Sequence, residues 1–342
     1  MEYVNIDENI QNDIQSIYIT IIKFLPIITI PIYLEAIYCV IFRSPNFQKC
    51  YVVILSAHVL CCLTEEIYGF HLLRPMVFLP IVGIYCNGLL SILNIHPYIQ
   101  LVILFFLIEL NSAILTNITL YRLKIIIPPS YRHYECIGKF GIGVTVFIYI
   151  GSIVAVFSML LLIEDQKDAK NYLYQTVRPI PSIFWSDHYI VSTNRNKNLP
   201  IFLLCGTIAL GVYIFLCIAI PMVCYYILHK SQHILSPKVV EAQRIYLRTI
   251  LIQVTIVVLC VICPFAVFFW GLVYQFENTM IVPTSIMFAL LNGSASTLTL
   301  IISNRPYRQI VKYQLQFVYY ALSCSKERRN RKVVQTLSSI VP

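Results

Sequence analysis

Long stretches without charged residues alternate along this chain with shorter segments that carry charge. The uncharged stretches cover residues 76–108, 140–163, 199–228, 249–276 and 278–304. A helix needs about 20 apolar residues to cross the roughly 30 Å of hydrocarbon in a bilayer, and each stretch is long enough. The pattern therefore predicts several membrane-spanning helices.

Charge also decides which apolar segments cross. Basic residues near Arg43 and Lys49, and again between Arg122 and Lys139, indicate two connections on the same side of a membrane. Two such connections require an even number of crossings between them, so the interrupted segment 76–94 is predicted not to span. The predicted spans are 17–42, 51–73, 97–121, 139–163, 200–228, 245–274 and 281–303.

The composition supports a membrane protein, because 58% of the residues are hydrophobic and only 12% are charged. Soluble domains carry about 25% charged residues. A soluble enzyme, a secreted disulfide scaffold and a disordered chain are therefore excluded. The net charge of +9 does not indicate a nucleic-acid partner, since no water-exposed folded face is available to hold the basic residues. We predict an all-α, seven-transmembrane helix bundle like that of G-protein-coupled receptors.

The distribution of basic residues predicts how the chain is oriented. Eighteen of the 25 Lys and Arg lie on the side that holds connection 122–139 and the C-terminus, and that side is expected to be cytoplasmic. Segment 164–198 has mixed charge and is expected outside. The predicted parts are an extracellular tail at 1–16, the bundle at 17–304, and a cytoplasmic helix with a basic tail at 305–342.

The chain after the last span predicts an amphipathic helix. Val311 and Leu315 fall on one side of it, and Arg308 and Lys312 on another. Such a helix lies in the membrane interface, where its basic residues attract anionic lipids of the inner leaflet. Cys324, at its end, is a candidate for palmitoylation.

Carboxyl groups inside the spans are candidates for function, because a charge at the bilayer centre costs about 2.5 kcal/mol or more. Glu109 lies near the middle of its span and is followed by Asn111 in an expected polar stripe. It is either a ligand-binding or switch residue, or an anchor between helices. Glu65 and Glu66 are further candidates for a ligand-binding or switch role, and one of the two is expected to pair with Lys23, which should lie at a similar depth.

Further candidates for a ligand pocket lie in the last two spans. Phe269 and Trp270 belong to an aromatic cluster at the outer end of the sixth span, and Asn292 is a polar residue in the seventh. Pockets between bundle helices are mostly apolar with a few polar groups. Pro264 is expected to kink the sixth helix, and Ser236-Pro237 predicts an N-cap followed by Pro at the first helical position.

The sequence indicates neither an enzyme nor a metalloprotein. HExxH, GxSxG, P-loop and GxGxxG motifs are missing, and His71 has no further ligand at metal spacing. We therefore expect no catalytic residues, no metal and no cofactor. A ligand-gated chemosensory ion channel remains the alternative to a receptor, and a transporter is a weaker one because the chain shows no internal repeat.

A set of motifs, in this order and spacing, resembles the nematode serpentine chemoreceptors of classes H and I, and the resemblance covers nearly the whole chain. The motifs are Arg74-Pro75, Leu79-Pro80-Ile81-Val82-Gly83, Asn87-Gly88, Tyr121-Arg122, Leu235-Ser236-Pro237 with Gln243 and Gln253, Pro264, and Pro306-Tyr307-Arg308.

The resemblance implies a receptor in the plasma membrane of sensory-neuron cilia. It would bind an external small-molecule or peptide ligand and signal through a heterotrimeric G protein. The residues expected to take part in coupling are Arg122, Ser236, Pro237, Gln243 and Arg308.

The chain departs from rhodopsin-like receptors in ways that limit further transfer. Leu120 and Tyr121 precede the inner arginine where an acidic residue is usual, and segment 164–198 has no cysteine for a disulfide to the third helix. Asn304-Arg305-Pro306-Tyr307 replaces the NPxxY motif.

Overall fold

The computed structural model of the protein is mostly helical. It describes residues 8–43, 49–78, 83–127, 134–176, 182–193, 195–233, 235–264, 266–267, 281–317 and 319–320. The helices are α1 (Glu8–Arg43), α2 (Lys49–Ile67, extended by a π-helical turn at Tyr68–Leu73), α3 (Leu89–Ile92), α4 (Pro97–Ile126), α5 (Tyr134–Ser158), α6 (Gln166–Thr176), α7 (Leu199–Ser231), α8 (Pro237–Val257), α9 (Ile281–Ser303) and α10 (305–317).

Seven helices within the described residues are long and apolar enough to cross a membrane. Their apolar ranges are Ser16–Arg43, Lys49–Leu73, Pro97–Ile125, Tyr134–Leu162, Leu199–Lys230, Val239–Ile262 and Thr284–Ser303. The predicted seven-helix bundle is therefore confirmed. The sixth predicted span, 245–274, extends into residues outside the described part.

The inner layer of the bundle consists of α1, α2, α4, α8 and α9. α2 packs against α1, α4 and α9, and α9 also contacts α1 and α8. α5 and α7 lie at the periphery, where they contact α4 and each other. Along Tyr134–Ser158, all of which the structure describes, α5 has no buried residue. The apolar surface of α5 therefore faces the lipid.

The ends of two spanning helices follow from their local sequence. His96 caps α4, since its ring accepts a hydrogen bond from the Tyr98 backbone nitrogen at 3.3 Å, and Pro97 occupies the first turn. α2 ends at Arg74, which has a left-handed backbone (φ 46°) and donates its N–H to the Gly69 carbonyl at 3.0 Å. Pro75 then starts an extended segment.

The described parts of segment 76–94, which is predicted not to span, lie within a small cap at one end of the bundle. We call this end outer and the opposite end inner, according to the predicted orientation. β1 (Pro75–Phe78) pairs antiparallel with β2 (Gly83–Cys86), and β2 pairs antiparallel with β3 (Tyr189–Val191) from the loop between α5 and α7. The sheet order is β1-β2-β3. The Cys86 N–H also donates to the His188 carbonyl at 3.1 Å. Backbone pairing thus ties the long outer loop to the hairpin, without any cysteine from 164–198.

Side chains attach this cap to the bundle. Gln166 receives a hydrogen bond from the Val191 N–H at 2.9 Å, and its own amide donates to the Val191 carbonyl at 3.1 Å and to the Tyr98 hydroxyl at 2.9 Å. Lys170 donates to the Ser186 carbonyl at 2.7 Å, and its burial lowers the pKa of its amine. The hydroxyl of Tyr18 on α1 donates to the Pro75 carbonyl at 3.0 Å.

The helix that follows α9 packs against the inner end of α1. Tyr307 is buried, and Ile310 and Val311 contact the apolar cluster that includes Val40. In the amide orientation that its surroundings favour, Gln314 donates to both carboxylate oxygens of Glu35, at 2.7 and 3.0 Å. The other side of α10 carries exposed side chains, among them Arg308, Lys312, Tyr313 and Phe317. Leu315 is exposed as well, so its expected place on the packed side with Val311 is wrong.

Candidate functional site

One face of α2 carries a line of buried polar side chains. Cys62 lies four residues after His58, and Glu65 and Glu66 lie three and four residues after Cys62, which places these side chains toward one side of the helix. All four are buried; Glu65 is 6% exposed and Glu66 is 2% exposed. This face contacts α1, α4 and α9, so polar groups from several helices meet there.

The first link of this network joins α2 to α4. The Asn111 side-chain amide donates to Glu65 Oε2 at 2.8 Å, and its oxygen accepts a hydrogen bond from the Cys62 thiol at 3.3 Å. Asn111 lies near the middle of the apolar range Pro97–Ile125. Both polar groups of the Asn111 side chain, the amide N–H and the oxygen, therefore form hydrogen bonds near the centre of the membrane, where an unpaired polar group would be costly.

The second link joins α2 to α1. The Tyr33 hydroxyl donates to Glu66 Oε2 at 2.8 Å, and Thr29 and Ser294 lie beside the same carboxyl group. Gly293 permits the close approach of α9, because a Cβ there would lie 2.7 Å from the Tyr33 hydroxyl oxygen.

The third link joins α2 to α9 and α8. His58 Nε2 and the Ser296 hydroxyl are 3.5 Å apart, and the Gln253 side chain donates to the Ser296 hydroxyl at 3.2 Å. All three side chains are buried. We call these connected residues of α1, α2, α4, α8 and α9 the central network (Tyr33, His58, Cys62, Glu65, Glu66, Asn111, Gln253 and Ser296).

The expected pairing of Lys23 with Glu65 or Glu66 is wrong. Lys23 points outward and is exposed, whereas the two carboxyl groups bond to Asn111 and Tyr33. Glu66 meets Tyr33, which lies ten residues further along α1 than Lys23, about 15 Å at 1.5 Å per residue. Both the depth and the direction of the Lys23 side chain were therefore misjudged. Neutral hydrogen-bond donors take the place of the expected cation.

The expected single polar stripe on α4 is also wrong, because the stripe divides into two faces. Asn111 faces α2, whereas Glu109 lies about 200° around the helix at 100° per residue and accepts a hydrogen bond from Ser152 of α5 at 3.3 Å. Tyr213 of α7 lies beside Ser112 and close to Glu109. Glu109 therefore belongs to a separate, half-buried polar cluster between α4, α5 and α7.

The remaining predicted pocket residues differ in what the structure describes. Asn292 is 8% exposed, and its side-chain oxygen has no hydrogen-bond partner among the described residues. It lies one residue before Gly293, whose contacts are with Tyr33 and Cys62. Phe269 and Trp270 lie outside the described residues. The bundle thus brings together Glu65, Glu66 and Asn111, with Asn292 on the adjacent helix.

Residues predicted to act in coupling lie at the other end of the bundle. Ser236 occupies the N-cap position of α8 and Pro237 the first helical position, although the Ser236 side chain makes no capping hydrogen bond. The Ser236 carbonyl accepts from Val239 and Val240 instead, both at 3.0 Å. Both Ser236 and Pro237 are exposed.

Gln243 and the two predicted arginines also lie toward this end. Gln243 is buried, and its side-chain oxygen has no partner in the described part of the chain. Arg122 belongs to the last turns of α4, and Arg308 is exposed on α10. Cys324 lies outside the described residues.

Pro264 follows an irregular turn of the sixth spanning helix. Val258–Ile262 is π-helical, and the Cys263 N–H donates to the Val258 carbonyl. Proline has no N–H to give to the carbonyl four residues earlier, so the widened turn is a local consequence of Pro264. Such turns distort a helix at a defined place, as expected for this position.

Metal binding finds no support in the geometry. In the described parts of the chain, no group of three or more His, Cys, Asp or Glu is placed to hold a metal ion.

The sequence interpretation missed several members of the central network, namely His58, Cys62, Tyr33 and Ser296. A usable signal was present on α2, where His58, Cys62 and Glu65 share one helical face. Tyr33 carried no such signal, because a tyrosine in an apolar span is common. Its role depends on the packing of α1 against α2.

The chain was compared with known protein families and with curated proteins. The family model described as "Serpentine type 7TM GPCR chemoreceptor Srh" matches residues 13–317, which include all seven spanning helices. No curated protein matches the chain.

Proposed function

Because the chain belongs to the Srh family of serpentine seven-helix chemoreceptors, we propose that it binds an external small-molecule or peptide ligand and signals through a heterotrimeric G protein. The family establishes a multi-pass chemosensory receptor. Ligand binding, coupling to a G protein and the cellular location are our additional proposals.

The central network is the observation that supports a switching receptor. It joins five of the seven spanning helices through hydrogen bonds at the middle of the membrane. A receptor needs two arrangements of its helices that differ in affinity for ligand and inner partner. Hydrogen bonds in an apolar medium are directional and costly to leave unmade, so such a network favours discrete arrangements over gradual ones.

The route from the network to the inner side runs along α8. Gln253 anchors this helix to Ser296, and ten residues earlier Gln243 is buried with an unused oxygen. The π-helical turn Val258–Ile262 interrupts the regular helix just before Pro264. A ligand that changes the packing near Pro264 would therefore move the inner half of α8, where Ser236 and Pro237 are exposed.

Arg122 and Arg308 complete the proposed coupling surface. Arg122 lies in the last turns of α4, and Arg308 is exposed on α10. An arginine keeps its charge at all physiological pH values and can exchange one hydrogen-bonding partner for another. This is the property that a contact with a G protein requires.

The proposed orientation places the N-terminus outside and α10 in the cytoplasm of a plasma membrane, and in particular of sensory-neuron cilia. Exposed Arg305, Arg308 and Lys312 on α10 would then contact anionic lipids of the inner leaflet. This lipid contact and palmitoylation of Cys324 are compatible with one another, because both hold the same segment at the membrane.

Two asparagines on α4 provide a matched test of the switch. Asn111 belongs to the central network, whereas the Asn117 side chain, among the described residues, bonds to Thr145 and Tyr149 of the peripheral α5. Wild type, Asn111→Ala and Asn117→Ala are expressed at equal surface level and exposed to a panel of odorants, peptides and lipid-derived compounds. Dissociation of the G protein is recorded.

We expect Asn111→Ala to lose the response and Asn117→Ala to keep it, since only the first removes a partner from Glu65 and Cys62. Equal responses from the two variants would contradict a role of the network in switching. A compound-evoked current that persists in excised patches without nucleotide or G protein would instead support the ion channel.

A further inference from the structure

The connection between α2 and α4 exposes a patch of large aliphatic side chains. Ile92 is 77% exposed, and Leu89 and Leu93 are also exposed. The chain has no Asp, Glu, Lys or Arg between residues 76 and 108, so no charge accompanies the patch. Neighbouring exposed apolar side chains without charge indicate a surface that another apolar phase covers. We call these three residues the α3 patch.

The α3 patch lies at the level of the helix ends and not above them. Gly88 touches the last turn of α2 so closely that a Cβ there would collide with the Leu72 carbonyl. From the first turn of α4, the Gln100 side chain donates to the Ile95 carbonyl at 2.7 Å and to the Ser91 hydroxyl at 3.4 Å. α3 is therefore held beside the turns at which α2 and α4 enter the membrane.

The direction of the patch is set by the opposite side of α3. Ser91 is buried and donates to the Cys86 carbonyl at 2.8 Å, and Leu90 packs against the outer apolar core. These contacts fix one side of α3 to the bundle. Leu89, Ile92 and Leu93 consequently face away from it and cannot turn inward without breaking them.

The chain leads from the α3 patch directly into a lipid-facing stripe of α4. Ile99, Ile103 and Phe106 are exposed and follow one another at steps of four and three residues, so they form one stripe along the helix. The stripe begins six residues after Leu93. Because this stripe belongs to a membrane-spanning helix, the apolar phase beside it is the bilayer.

We propose that α3 inserts Leu89, Ile92 and Leu93 into the adjoining bilayer leaflet, so that lipid acyl chains cover this surface. In the proposed orientation this is the outer leaflet. The segment 76–94 thus has two parts with different surroundings. Its hairpin pairs with the outer loop, and its short helix anchors the base of that cap to the membrane.

Tryptophan fluorescence in lipid nanodiscs tests this insertion. The chain has two tryptophans, Trp185 and Trp270, and both are replaced by Phe. Single tryptophans are then introduced as Ile92→Trp in the patch, Phe106→Trp on the lipid-facing stripe, and Gln175→Trp on exposed α6. The quenchers are phosphatidylcholine brominated near the headgroup end of the acyl chain, the same lipid brominated near the methyl end, and aqueous iodide.

We expect Ile92→Trp to be quenched most by the lipid brominated near the headgroup and to be protected from iodide. Phe106→Trp should also be quenched by brominated lipid, and Gln175→Trp by iodide alone. Quenching of Ile92→Trp by iodide alone would overturn the proposal, because the patch would then face water. Protection from both kinds of quencher would overturn it as well, because protein would then cover the patch.

Discussion

Single positions differ sharply in how much added side-chain volume they tolerate, and a glycine beside the central network and one far from it show this best. At Gly293 an added Cβ would lie 2.7 Å from the Tyr33 hydroxyl oxygen and 2.9 Å from Cys62 Cβ, whereas at Gly151 on α5 it would meet nothing within 4 Å. The same substitution is therefore expected to have opposite effects at the two sites.

We predict that Gly293→Ala lowers the free energy of unfolding by roughly 1–3 kcal/mol, the usual cost of overpacking. Gly151→Ala should leave it unchanged or raise it by about 0.5–1 kcal/mol, since alanine favours the helix. Thermal unfolding of the two detergent-solubilised variants measures this difference. Equal melting temperatures would show that α9 does not approach α1 and α2 as closely as described.

The carboxyl group of Glu109 lies in a different environment from those of the central network. It accepts a hydrogen bond from Ser152 at 3.3 Å and is half-buried. Glu109→Gln keeps the side-chain volume and hydrogen-bonding capacity but removes any charge. If Glu109 contacts ligand, this variant reaches the surface normally and responds only at higher ligand concentration. Loss of surface expression alone would identify it as an anchor between α4 and α5.

At the scale of whole elements, Gln166 is the residue that fastens the outer cap. Its side chain exchanges two hydrogen bonds with Val191 and a third with Tyr98, each contributing about 1 kcal/mol. We predict that Gln166→Leu speeds amide hydrogen exchange around Val191 by about tenfold or more, since about 1.4 kcal/mol is a factor of ten. Gln175→Leu, an exposed position on the same helix, should leave the exchange unchanged. Unaltered protection in Gln166→Leu would mean that strand pairing alone holds the cap.

How well the sequence predicts the structure also differs from one element to another. The seven spanning helices could be predicted because charge-free length is a local property of the chain. The outer sheet could not, since β2 and β3 are short and lie about 100 residues apart. The rotation of α1 and α4 about their own axes could not be predicted either, because spans that are apolar on all sides show no preferred face. Glu109 was misplaced for this reason, and Lys23 was misplaced in addition because its depth relative to Glu66 was misjudged.

At the scale of the whole molecule, hydrogen bonds of the central network tie five helices together. Ser236, Pro237 and Arg308 are exposed at the end of the bundle where we propose that a G protein binds. Arg122 lies at the inner end of α4. Either it takes part in coupling or it only anchors the span by its charge.

We predict that Arg122→Ala retains surface level and ligand binding and loses G-protein signalling. One charge among the 18 basic residues on that side should not alter insertion. Lys124→Ala, a neighbouring exposed residue on the same helix, is the control and should signal normally. Unchanged signalling by Arg122→Ala at equal expression would leave only the anchoring role.

The proposed binding of an external ligand and the proposed coupling to a G protein both depend on the orientation of the chain in the membrane. This orientation can be measured without knowing the ligand. An epitope placed at residue 2 and another after Pro342 are labelled by antibodies on intact and on permeabilised cells. We predict that the first epitope is accessible on intact cells and the second only after permeabilisation. The opposite pattern would contradict both the orientation and coupling to a G protein, because Ser236, Arg122 and α10 would then face the outside.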